Sequence, residues 1–160
     1  FVSSRPVDLL EKKLDLIKND YDLKSRYIFR KIEIVREYQE NVPKLLCESS
    51  KIQQVFLNIL KNGAQAMADK KKEGYLPRFY LRVSSTRKTL RIEIEDTGPG
   101  MEMSVRKRVF EPFFTTKEVG KGMGLGMSIT HSILERVGAS IVVESEPLKG
   151  TIIKINFPLK

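Results

Sequence analysis

At 160 residues, with 41% apolar side chains, the chain is long enough for one domain with a real core and belongs with globular rather than disordered sequences. A formal charge of +9 favours polyanions, whether nucleotide, nucleic acid or acidic protein, but the basic residues are scattered and do not single out nucleic acid. No apolar run approaches the roughly 18 residues of a membrane span. The single Cys47 excludes an internal disulfide and fits a reducing, cytoplasmic compartment. A start at Phe1 without Met is expected of a domain cut from a longer protein, and any membrane attachment would then lie in the missing parts.

Leu9, Leu10, Leu14, Ile17 and Tyr21 fall close to helical spacing and predict an amphipathic helix over 7–23, with Pro6 near its first turn. Leu16 and Leu23 fit that stripe less well. From Tyr27 to Val35 the β-branched content rises, with Ile28, Ile32 and Ile34 in alternation, which predicts a strand ended by Asn41-Val42-Pro43. A short Leu45-Leu46-Cys47 segment leads to Glu48-Ser49-Ser50, a helix start. The helix predicted over 51–69 is the most regular element: Ile52, Val55, Phe56, Ile59, Leu60, Gly63 and Met67 recur at i, i+3, i+4 and i+7. Asn58 and Asn62 lie one turn apart, and Asn62 falls on the edge of the apolar stripe, where a carboxamide can point into a groove.

Two alternating runs, 79–85 and 90–95, flank Thr86-Arg87-Lys88-Thr89 and predict a hairpin. Asp96 falls in phase with Leu90, Ile92 and Ile94. If the strand continues, this carboxylate enters the core side, where an unpaired charge costs several kcal/mol, so something polar should meet it. A stretch with the character of a lid follows over about 103–122, with Phe110-Glu111-Pro112-Phe113-Phe114-Thr115-Thr116-Lys117 and then glycines at 120, 122, 124 and 126. Ile129, Ile133, Leu134 and Val137 mark a helix ending at Gly138, and 139–143 and 151–157 are the last strands, with Gly150 in the turn before the second. This order predicts an α+β two-layer sandwich: a mixed, mostly antiparallel sheet of about five strands covered on one face by about three helices.

Glycines at the entrance to a helix let backbone N–H groups approach an anion, and the helix N-terminus adds favourable partial charge. Gly122-Met123-Gly124-Leu125-Gly126 can adopt that geometry, although a glycine cluster alone equally describes a flexible loop. It fits neither a Rossmann turn, since no strand precedes it and Met127 occupies the third small position, nor Walker A spacing.

Taken together, the asparagine pair, Asp96-Thr97-Gly98-Pro99-Gly100, Phe-Glu-Pro-Phe-Phe, Gly-x-Gly-x-Gly and Gly150-Thr151, in this order, resemble the ATP-binding catalytic domain of two-component sensor histidine kinases. That domain has the Bergerat-type fold shared with gyrase and a heat-shock chaperone ATPase. The resemblance covers about 7–159 of a single domain over 1–160, and Phe-Glu-Pro-Phe-Phe-Thr-Thr-Lys and Gln65-Ala66-Met67 look most like the nitrogen-regulation branch.

The resemblance implies ATP as substrate, Mg²⁺ held by Asn62, and the adenine amino group on Asp96, which would answer the inward carboxylate. Gly98, Gly100 and Met101 would line the base and Thr151 would share its contact. Gly122, Gly124 and Gly126 would serve the phosphates through the backbone, Lys117 or Lys121 could contact them from the lid, and Thr116, Met123 and Leu125 would belong to the same nucleotide site. Lys117 and Lys121 read equally well as solvated cations. The implied partners are a histidine-bearing dimerisation domain of the same kinase and a cognate response regulator; no nucleic acid is implied. Asn58 occupies the place where hydrolysing relatives carry a general-base Glu, and it cannot take a proton from water. With Asn62 in the catalytic pair, it favours phosphotransfer over hydrolysis, the alternatives being a Bergerat-fold ATPase or a nucleotide-sensing module without catalysis. Gln65 replaces a Lys frequent in the family, and Gly63 replaces the usual Ala at up to about 1 kcal/mol in helix propensity. His131, the sole histidine, reads as a surface residue rather than a phosphoacceptor, Phe110, Phe113 and Phe114 as anchors of the lid, and Cys47 as a small core residue.

Overall fold

A computed structural model of the chain describes residues 1–19, 22–112, 114 and 126–159. Strand β1 (Val2–Ser4) leads into helices α1 (Pro6–Lys18) and α2 (Leu23–Arg30), and strands β2 (Glu33–Tyr38) and β3 (Leu45–Cys47) precede the long helix α3 (Ser49–Asp69). Strands β4 (Arg78–Ser85) and β5 (Thr89–Asp96) form the central hairpin, followed by α4 (Met103–Arg106), α5 (Gly126–Arg136), β6 (Ser140–Glu146) and β7 (Gly150–Pro158).

Helix α1 buries Leu9, Leu10, Leu14 and Ile17, as the stripe predicts, and leaves Leu16 exposed. It stops at Lys18 rather than at 23: Asn19 is its C-cap, leaving the helical region at φ −116° and ψ 21° while its N–H still bonds the Asp15 and Leu16 carbonyls. Asp22 then caps α2 by accepting the Lys24 N–H at 3.1 Å. The strand predicted from Tyr27 is therefore wrong in its first half: the chain is helical to Arg30, and the strand begins at Glu33. Ile28 and Ile32 stand four residues apart, as a helix repeats, and Ile32 and Ile34 two apart, as a strand repeats. A helix-to-strand junction thus imitated one alternating run. Phe29, fully buried between them, packs its ring on Phe79 at 5.9 Å between centroids.

The sheet has five strands in the order β2-β4-β5-β7-β6, with β2 parallel to β4 and every other pair antiparallel. The register builds rows across it. Leu81, Ile94, Ile153 and Val143 form one row on the helix-facing side, and the next is Phe79, Asp96, Thr151 and Ser145. Helices α1, α3 and α5 cover that side, with α3 in the middle and Ile52, Val55, Phe56, Ile59, Leu60, Gly63 and Met67 all buried. The α+β sandwich of the sequence reading is the fold observed. β1 and β3 add a two-stranded antiparallel ribbon that three-residue strands are too short to announce.

The other face of the sheet carries charges in opposition. Arg82 reaches Glu95 at 2.9 Å and Glu37 at 3.5 Å, while Lys154 reaches Glu144 at 2.9 Å. Each such half-exposed pair contributes little, but the alternation keeps the open face wet. No helix among the described residues is long and apolar enough to cross a membrane.

Candidate functional site

Strand β5 delivers the Asp96 side chain to the helix-facing side of the sheet, where only 9% of the residue stays exposed. The polar partners that its position demands come from the backbone. Gly98 donates its N–H to Oδ1 at 2.9 Å, and the Thr151 N–H also bonds the carboxylate. Burial raises the Asp96 carboxyl to about 6, against the opposing pull of those two N–H groups. Asp96 does cap its own turn, yet a turn cap needs no such depth.

Small residues make that depth possible. A Cβ at position 63 would meet Phe79 Cε1 at 2.6 Å and Asp96 Oδ2 at 3.3 Å, so the glycine that weakens α3 is what admits the Phe79 ring beside the carboxylate. Gly150, at φ +86°, passes against the Asp96 carbonyl, and Gly100, at φ +69°, against that of Glu146. Both positions combine a left-handed backbone with no room for a side chain.

The turn after Asp96 is pinned from two sides. Behind it, Thr97 Oγ1 accepts the Arg78 N–H at 3.0 Å and meets the Tyr75 hydroxyl at 3.3 Å. Lys70 donates to the Thr97 carbonyl at 3.2 Å while its ammonium rides 4.4 Å above the Tyr75 ring. In front, Pro99 O accepts the Leu148 N–H at 2.7 Å and Ser145 Oγ accepts the Met101 N–H at 2.8 Å. Phe79, Thr97 and Ser145 were not singled out in the sequence; register in the sheet, not spacing in the chain, brings them here.

Across the groove, α3 presents the asparagines to the first turn of α5. Asn58 Nδ2 donates to Gly126 O at 3.2 Å and to the fully buried Thr130 hydroxyl at 3.3 Å. Asn58 thereby fastens α5 to α3 rather than presenting its N–H groups to the groove. Asn62 is half-buried, and a side chain at Gly126 would lie 3.9 Å from its Nδ2. Among the described residues its amide takes no hydrogen-bond partner. Gln65 donates to Asp69 at 3.1 Å along the helix surface.

Asn58, Asn62, Gly126 and Thr130 thus gather on one side, and Asp96, Gly98, Gly100, Met101 and Thr151 on the other. Thr116, Lys117, Lys121, Gly122, Met123, Gly124 and Leu125 lie outside the described residues, as does Phe113. Phe110 does hold the end of the α4 segment against α5, with its ring 5.0 Å from that of His131. His131 is part-exposed and faces Glu135 at 3.8 Å.

Residues 47–160 match the model of the histidine kinase-, DNA gyrase B- and HSP90-like ATPases. The chain belongs to this family. Sporulation kinase E of Bacillus subtilis (strain 168) is 32% identical over 152 residues, 95% of this chain and 19% of its own length. Sensory histidine kinase/phosphatase NtrB of Rhizobium meliloti (strain 1021) is 31% identical over 162 residues, 94% of this chain and 42% of its own length. The chain therefore spans about a fifth to two-fifths of these kinases. Among solved structures, the nucleotide-free catalytic domain of the histidine kinase ThkA superposes with a TM-score of 0.79 at 23% identity, covering 99% of this chain and 95% of that one. Full-length ShkA in complex with AMPPNP gives the same score over 98% of this chain and 30% of its own. At such identities the superpositions establish the shared fold of the ATPase domain.

Proposed function

We propose that the groove binds Mg²⁺-ATP and that the chain is the catalytic domain of a sensor histidine kinase, positioning the γ-phosphate for transfer to a histidine on a separate dimerisation domain. The observation that carries this reading is the deeply set Asp96 carboxylate. It is held in place by backbone N–H groups at an energetic cost, on the same face as Thr151 and beside the helix α3 that carries Asn58 and Asn62. An exocyclic amino group of a purine would bring the donor that such a carboxylate lacks.

Asn62 fits a metal role: its amide has no other partner among the described residues, and a neutral oxygen suits Mg²⁺, which keeps phosphate oxygens and waters as its remaining ligands. Among the described residues no cluster of three or more His, Cys, Asp or Glu side chains exists that could hold a metal without such help. The ion would neutralise charge on the triphosphate. Asn58, engaged with α5, sets the N-terminus from which backbone N–H groups would face the phosphates. Asn58, one helical turn before Asn62, cannot take a proton from an attacking water, which favours transfer to a partner over hydrolysis. The acceptor's dimerisation domain, a response regulator, one catalytic unit over 1–160 and a phosphate lid over about 103–122 all belong to this proposal.

Calorimetric titration with ATP, with and without Mg²⁺, tests it. The wild-type chain should bind in both conditions and more tightly with Mg²⁺. Asn62→Ala should lose the Mg²⁺ increment, and Asp96→Asn should lose most of the affinity. Steady hydrolysis of ATP by the isolated chain would replace the kinase reading with that of an ATPase.

A further inference from the structure

The helix-facing row of the sheet carries three polar side chains on adjacent strands: Asp96 on β5, Thr151 on β7 and Ser145 on β6. Ser145 Oγ has three neighbours. The Met101 N–H donates to it at 2.8 Å, the Gly150 carbonyl lies at 3.0 Å, and Thr151 Oγ1 lies at 2.8 Å. A hydroxyl owns one proton and two lone pairs, whereas a carbonyl can only accept and a backbone N–H can only donate. The Ser145 proton therefore goes to Gly150 O, one lone pair takes the Met101 N–H, and the other must take a proton from Thr151. That fixes the direction of the last bond. The Thr151 hydroxyl is turned away from the groove, and only its lone pairs remain to face what Asp96 faces.

We propose that Ser145 is a specificity-determining residue: by holding the Thr151 proton it makes the Asp96–Thr151 edge of the groove purely accepting, which selects a 6-amino purine over a 6-oxo purine. This rests on the nucleotide reading above. A 6-amino group, or a water it shares, supplies protons to both acceptors. A 6-oxo group sets its own lone pairs against those of Thr151, and no donor is available to meet them. Asp96 discriminates less well alone, because its carboxylate accepts equally from the amino group of adenine and from the ring N1–H of hypoxanthine. Ser145 touches neither base nor phosphate and acts through Thr151, so it is a positioning residue.

The test compares binding of Mg²⁺-ATP and Mg²⁺-ITP, read as the ratio of dissociation constants. Wild type should prefer ATP by about tenfold or more, one hydrogen bond's worth of discrimination. In Ser145→Ala the Thr151 proton is released to donate to a 6-oxo group, and the ratio should collapse towards one, mainly through tighter ITP binding. Ser145→Thr keeps a single-proton hydroxyl at the same place and should retain the preference. In Thr151→Val the ratio should fall as well, and adding Ser145→Ala to it should change nothing further.

A ratio in Ser145→Ala within about twofold of wild type would overturn the proposal, as would a further fall when the two substitutions are combined. If Ser145→Ala does not fold, the other two variants decide: an unchanged ratio in Thr151→Val, or a lost preference in folded Ser145→Thr, overturns it. Asp96→Asn separates the two levels. If it abolishes ATP binding while Ser145→Ala leaves the ratio alone, only the role of Ser145 falls; if it leaves ATP binding intact, the nucleotide reading falls with it.

Discussion

Replacing Asp96 by Asn should make the chain more stable at neutral pH while removing its ligand. The carboxyl titrates near 6 in the folded chain against an ordinary 3.8, because burial disfavours the ion more than the Gly98 and Thr151 N–H groups favour it. Between those two values the folded state holds a proton that the unfolded state has lost, so stability falls as pH rises through that window. Above pH 6 the full cost stands, about 3 kcal/mol at 1.36 kcal/mol per pH unit. Asn carries no charge and keeps an oxygen for the Gly98 N–H. It returns about 1 kcal/mol because it is a poorer acceptor for Thr151. The net gain of about 2 kcal/mol corresponds to a rise in Tm of about 4–8 °C for a chain of this length. Thermal unfolding of both proteins without nucleotide, at pH 7.5 and pH 4.5, is the assay. The Asn variant should melt higher at pH 7.5 and level with wild type at pH 4.5, and added ATP should raise the Tm of wild type alone. An Asn variant that melts lower at pH 7.5, or a gap that ignores pH, would refute the view that the carboxylate is kept ionised and buried at a cost.

Other substitutions separate positioning from packing. Asn58→Ala strips the buried Thr130 hydroxyl of its partner and should cost about 1–2 kcal/mol in urea unfolding; an unchanged midpoint would mean that α5 is held otherwise. Asn62→Ala should leave stability within about 0.5 kcal/mol and remove only the Mg²⁺-dependent part of ATP binding, seen by calorimetry. Gly63→Ala drives a methyl group into the Phe79 ring and should cost about 1–3 kcal/mol despite better helix propensity. Adding Phe79→Leu should recover part of that loss, and a neutral Gly63→Ala would show that the ring yields freely. Wild-type affinity for ATP should weaken below pH 6, as Asp96 takes up the proton that blocks its acceptor role.

Regular periodicity made α3 and the β4–β5 hairpin legible, because both repeat one spacing over many residues against a single core. The same logic failed at Ile28, Ile32 and Ile34, where the period changes from four to two within one short stretch. Asp96 was readable as inward from strand phase alone, since β5 alternates strictly and the carboxylate keeps the phase. Thr151 was named beside it only through the family resemblance, and Phe79 and Ser145 not at all. Phe79, Thr151 and Ser145 come from strands 17 to 55 residues away in sequence, aligned by register rather than by any local pattern. Gly63 looked like a defect in a helix. Its reason, an aromatic ring on β4, exists only once the helix lies across the sheet. Asn58 was placed on the correct face, but its hydrogen bonds to Gly126 and Thr130 depend on how two helices pack.

On the proposed function, Asp96 is buried so that its carboxylate meets a purine. A crystal structure of the chain grown with Mg²⁺-ADP tests this most directly. The exocyclic amino group of the base should lie within hydrogen-bonding distance of the Asp96 carboxylate, with the diphosphate running towards Asn62 and the first turn of α5. A base bound elsewhere, with Asp96 facing only its own backbone N–H groups, would contradict it.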